Sequence, residues 1–200
     1  MLKNLSVKLV NDAVQKGYVK IEDVDDYIYG ISSFINTFIN ILAALILGII
    51  THMLFEIILF LIVFQTLRKF VGGSHSKTHI RCYVSTFFTY IVVLWMIKNI
   101  NVSSHIVLLC MAAACITMLI LAPVEAIKKP LDTKEKQLFG FVGRLIVVFW
   151  FIIYIVLQYF MLNSTMQYCA KIIAITSITV AIFAITGEFK LIRYKKNKTL

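Results

Sequence analysis

Between Ile31 and Leu67 the chain is almost continuously apolar, interrupted only at points such as Asn36, Asn40, Thr51, His52 and Glu56. A hydrocarbon layer about 30 Å thick is crossed by roughly 20 helical residues, so this stretch is too long for one crossing. It reads as a tight helical hairpin, 31–50 followed by 53–67. Apolar runs recur at 83–97, 104–122, 145–162 and 168–187. In lipid the backbone finds no external hydrogen-bond partner, so each run must be a helix. The expected fold is therefore all-α: a polytopic transmembrane helical bundle of about six spans, forming a single membrane domain over 1–200.

Composition removes the competing classes. With 60% hydrophobic and 15% charged residues and a mean hydropathy of +0.87, a water-facing surface could not hide the apolar side chains. The net charge of +10 would suit nucleic acid in a soluble protein, but no soluble module is left to bind it. In a membrane chain such an excess reflects cations retained on the cytoplasmic side.

Residues 1–30 form an arm of a different kind. Leu2, Leu5, Leu9, Val10, Ala13 and Val14 recur at helical spacing, with Lys3, Lys8, Asp12 and Lys16 elsewhere on the wheel. This predicts an amphipathic interfacial helix ended by Gly17. The acidic residues Glu22, Asp23, Asp25 and Asp26 follow, and the apolar sequence begins after Gly30. The arm has no apolar segment leading to a small-residue cleavage site, so a removable signal peptide is not expected.

Orientation follows from the cations. The segments 68–81, 123–144 and 188–200 hold 4, 5 and 5 Lys plus Arg, whereas the intervening turns hold only Lys98 and Lys171. Both basic loops and the C-terminal segment are expected in the cytoplasm. Six spans would put the N-terminus there too, and five would put it outside. The arm, with four Lys and five acids, does not arbitrate.

Chemistry concentrates in the first basic loop, RKFVGGSHSKTHIRC from Arg68 to Cys82. Cysteine attacks as thiolate, favoured by nearby cations and a helix N-terminus. Cys82 follows Arg81 and opens the next span. Cys110, Cys115 and Cys169 lie in or beside apolar runs without CxxC spacing and read as small apolar fillers. His75 could take the thiol proton and return it to a leaving amine. On an unbroken helix residues seven apart are separated by about 10.5 Å along the axis, so a working pair requires a turn, which Gly72 and Gly73 permit. Two other readings stay open. His75, His79 and Cys82 have i, i+4, i+7 spacing suited to a metal, but without an evident fourth ligand, and all three could be interfacial polar residues capping a span.

Arg68, Gly72-Gly73, His75 and, seven residues on, Cys82, set between two apolar spans, resemble the catalytic loop of the accessory gene regulator B (AgrB) family of quorum-sensing membrane peptidases. Ala122-Pro123 followed by Lys128-Lys129-Pro130-Leu131 is similar to that family's second basic loop. The resemblance implies Cys82 as nucleophile, His75 as general base and acid, and Arg68, Gly72 and Gly73 as supporting loop positions. It implies a short AgrD-like precursor peptide as partner, trimmed of its C-terminal tail and closed as a thiolactone or lactone, with no cofactor or metal. Lys69, Lys77, Arg81, Lys128 and Lys129 would attract an acidic tail, although topology alone could explain these cations. Self-association into a homo-oligomer in the bilayer is compatible with the chain. The alternative class is a small transporter or pore without covalent chemistry, using Asn36, Asn40 and Glu56 inside the spans.

Overall fold

The computed structural model describes residues 2–18, 20–73, 79–125, 132–161 and 163–198. They form seven helices: α1 (Leu2–Gln15), α2 (Val24–Ile50), α3 (Leu54–Val71), α4 (His79–Asn99), α5 (Ser104–Leu121), α6 (Thr133–Ile155) and α7 (Ser164–Lys198). A π-helical turn, Val156–Phe160, continues α6. The bundle is all-α, as expected. By length and apolarity α2, α5, α6 with its π-turn, and α7 can each cross a membrane. Crossing by α3, which carries Glu56, Arg68 and Lys69, and by α4 belongs to the proposed topology.

The ends of several helices depart from the apolar runs for local reasons. Helix α2 starts at Val24 rather than 31, with Asp25 and Asp26 in its first turn, where carboxylates suit the helix dipole. Helix α6 starts at Thr133, within the segment read as a basic loop. There the Asp132 side chain accepts from the Thr133 amide at 2.7 Å, and the Glu135 carboxylate accepts from the Asp132 amide at 3.2 Å. That reciprocal cap satisfies amide donors a helix start leaves open. Helix α7 likewise runs past 187 to Lys198. The arm helix α1 ends as expected: Gly17 has φ +74°, and the Tyr18 amide donates to the Ala13 carbonyl at 2.9 Å, a left-handed glycine cap.

Helix α7 is the staff of the bundle. Ile172 to Ser177 are all buried, and the Thr176 and Ser177 hydroxyls donate to carbonyls one turn back, Ile172 O at 2.7 Å and Ser177's partner Ile173 O at 2.9 Å. A helix apolar around its whole girth belongs in a core. Onto it pack α5 and α3, and α3 buries Ile57, Phe60, Val63, Leu67 and Val71 within the bundle. Phe60 meets Tyr90 of α4 edge-on, centroids 5.8 Å apart, and the Trp150 indole of α6 donates to the Thr66 hydroxyl at 3.0 Å. By contrast α2 turns Phe34, Phe38, Ile46 and Ile50 outward, a face suited to lipid.

The α2–α3 hairpin is closed by a close helix approach. A Cβ on Gly48 would lie 3.0 Å from the Ile57 side chain and 3.2 Å from the Leu54 Cα. Overfilling such a contact typically costs about 1–3 kcal/mol. Gly48→Val is expected to lower stability by that order, seen as a lower thermal midpoint in detergent micelles relative to Gly30→Val, whose added Cβ meets open space.

Candidate active site

The first basic loop leaves α3 through backbone that only its two glycines can supply. Gly72 adopts φ +82° and Gly73 φ +144°, regions that L side chains rarely occupy. The Gly72 amide donates to the Arg68 carbonyl at 3.1 Å, closing α3. The Val124 amide then donates to the Val71 carbonyl at 2.9 Å, so Gly72 and Val124 run side by side as a short parallel bridge. The starts of both basic loops are thereby joined.

The approach is close at each glycine. A Cβ on Gly72 would collide with the Val124 carbonyl oxygen. One on Gly73 would lie 3.0 Å from an Arg68 guanidinium nitrogen and 3.2 Å from the Phe183 carbonyl oxygen of α7. The Arg68 guanidinium rests 4.6 Å from the Phe183 ring centroid and 5.6 Å from that of Phe64, a cation held over aromatic faces. Gly140 and Gly143 of α6 admit the same junction: Cβ atoms there would lie 3.2 Å from the Pro123 ring and 3.1 Å from the Phe70 carbonyl oxygen. The Phe70 and Phe139 rings add a contact at 5.8 Å.

Helix α4 begins at His79, so Arg81 and Cys82 occupy its first turn. That is the positive end of its dipole. One residue on, the Tyr83 hydroxyl donates to the Asn36 side-chain carbonyl, tying the start of α4 to α2. Of the residues expected to matter, Arg68, Gly72, Gly73, Arg81 and Cys82 thus fall at one end of the bundle. His75, Lys77, Lys128 and Lys129 lie outside the described residues. Lys69 is exposed, its ammonium 5.3 Å from the Phe70 ring centroid.

The sequence reading missed Phe64, Phe183, Val124, Gly140 and Gly143 as supports of this junction. The two glycines one turn apart in α6 were the one signal available, since the absence of a side chain permits close approach. It also missed a polar cleft of about 510 Å³ beside Pro123, bordered by Glu125, Lys136, Arg144 and Glu188. There Lys136 and Glu125 pair at 2.7 Å, and the Arg144 Nε donates to the Leu119 carbonyl at 3.3 Å.

Asn36, Asn40 and Glu56, set apart for a transport reading, are each engaged. The Asn40 amide donates to the Asn36 backbone carbonyl at 2.9 Å, and half-buried Glu56 accepts from the Tyr168 hydroxyl at 2.9 Å.

The family model for accessory gene regulator B matches residues 3–189. An accessory gene regulator protein B of Staphylococcus saprophyticus subsp. saprophyticus is 23% identical over 140 residues, covering 68% of this chain and 74% of that protein. One of Staphylococcus intermedius is 26% identical over 115 residues, covering 58% and 60% respectively. No solved structure matches the chain.

Proposed function

Because the chain belongs to the accessory gene regulator B family, we propose that it is a membrane-embedded cysteine endopeptidase that removes the C-terminal tail of an AgrD-like quorum-sensing precursor. The observation that carries this reading is the glycine junction. Gly72 and Gly73 are held against Val124 and Phe183, which fixes the departure of the loop whose far end delivers Cys82 to the first turn of α4. Capping polar residues at an interface would not require backbone of this kind.

In the proposed reaction His75 takes the proton of the Cys82 thiol, and the thiolate attacks the carbonyl at the tail junction. The tetrahedral adduct collapses with cleavage of its C–N bond. His75 returns the proton to the departing nitrogen, and the tail leaves as a free amine. The acyl half remains as a thioester on the Cys82 sulfur. A Cys thiol or Ser hydroxyl of the same precursor attacks that carbonyl, and its proton passes through His75 to the released Cys82 sulfur. The peptide closes as a thiolactone or lactone. Restricted water at the membrane boundary favours this exchange over hydrolysis. Arg68, Gly72 and Gly73 position the loop. Lys69, Lys77, Arg81, Lys128 and Lys129, on a cytoplasmic face, draw in an acidic tail with the salt dependence of exposed charge.

The test is to trap the intermediate. Membranes containing the chain, supplied with a tagged AgrD-like precursor and quenched in acid, are expected to yield Cys82 carrying the tail-less fragment. Hydroxylamine should release it. Tail release without that adduct, unaffected by alkylation of Cys82, would exclude covalent catalysis here.

A further inference from the structure

At the end of the bundle away from Gly72, the α2–α3, α4–α5 and α6–α7 turns surround a second cleft of about 840 Å³, within the size range of small-ligand sites. Its walls include Met96, Ile97, Val107 and Ile178. It also holds two opposite charges, Glu56 and Lys171. Both are half-buried, yet they form no ion pair with one another. Each is held instead by neutral groups. Glu56 accepts one hydrogen bond from the Tyr168 hydroxyl at 2.9 Å. The Lys171 ammonium donates to the Ile97 carbonyl at 2.8 Å and more distantly to Asn101 Oδ1 at 3.5 Å.

A carboxylate has about four acceptor sites and an ammonium three donors, so both keep bonding capacity toward the cleft. Both charged groups border the same cleft, whose other walls are largely apolar, and neither is neutralised by the other. The complementary ligand carries an ammonium for Glu56, a carboxylate or carbonyl for Lys171, and apolar side chains for the walls formed by Met96, Ile97, Val107 and Ile178. We infer that this cleft is a binding site for short apolar peptides with a free amino terminus. The site is separate from the reactive loop and does not rest on the chemistry at Cys82.

The experiment is calorimetric titration of the purified full chain in lipid nanodiscs with the tripeptide Phe-Leu-Phe, its N-acetylated form and its C-amidated form. The free peptide is expected to bind saturably. N-acetylation should weaken binding at least tenfold, and Glu56→Gln should do the same, with little added loss when the two are combined. Amidation and Lys171→Met should form a second such pair. Cys82→Ala should bind as the wild type does, which separates this inference from the peptidase reading. A role confined to stabilising the ends of α3 and α4 would lower the thermal midpoint without producing either pairing. Absence of saturable binding at millimolar peptide, or equal affinity for free and acetylated peptide, overturns the inference. The three peptides on the wild-type chain decide it even where a variant fails to fold.

Discussion

Replacing Cys82 by Ala is expected to reduce precursor cleavage by about a thousandfold or more, the scale seen when a nucleophile is removed from a catalytic unit, while membrane insertion stays at the wild-type level. His75→Ala should cost about 10²- to 10⁴-fold, the range of general acid–base catalysis. Combining the two is more telling than either alone. If His75 acts only by moving the proton of Cys82, the double variant should cleave no more slowly than Cys82→Ala, since members of one unit are strongly non-additive. The measurement is initial-rate release of a tagged tail in membranes matched for expression. Cleavage that survives in Cys82→Ala would remove the peptidase reading and return attention to transport.

The second large effect is expected at Gly72, through backbone rather than chemistry. Alanine there would have to hold φ +82°, a conformation costing of order 1–3 kcal/mol for a residue with a side chain. Its Cβ would also meet the Val124 carbonyl oxygen, so the loops would have to separate and the Val71–Val124 hydrogen bond would be lost, about 1 kcal/mol more. Gly72→Ala should therefore lower the thermal midpoint and reduce cleavage at least tenfold. Gly17→Ala is the matched control. It has φ +74° but nothing within 4 Å of the added Cβ, so it bears backbone strain without a collision and should leave cleavage unchanged. Equal activity losses in the two variants would mean that the junction does not matter to the site.

The order of the helices was legible because hydropathy alone dictates it: the runs at 31–50 and 53–67 do form the hairpin α2–α3. Their ends were less so. The α6 start was obscured by reading 123–144 through its charge, although Asp132 and Glu135 stand at cap spacing. The permissive role of Gly72 and Gly73 could be read from residue type. What could not be read was the partner of each, since Val124 and Phe183 are distant in sequence and nothing local marks them. Glu56 shows the same limit. Its place in an apolar run marks it as unusual but does not reveal that it is half-buried and bonded to Tyr168, a contact set by how α7 packs on α3.

The backbone of Gly73 lies against the Phe183 carbonyl, and Phe183 belongs to the last of the seven helices to be synthesised. A nascent chain in which α3 and α4 are already made contains Cys82 but lacks the α7 carbonyl against which Gly73 rests. In the proposed peptidase, the junction that positions the loop is complete only when α7 has joined the bundle. Under that proposal assembly is its own safeguard: an unfinished molecule would have the nucleophile without the junction that holds its loop.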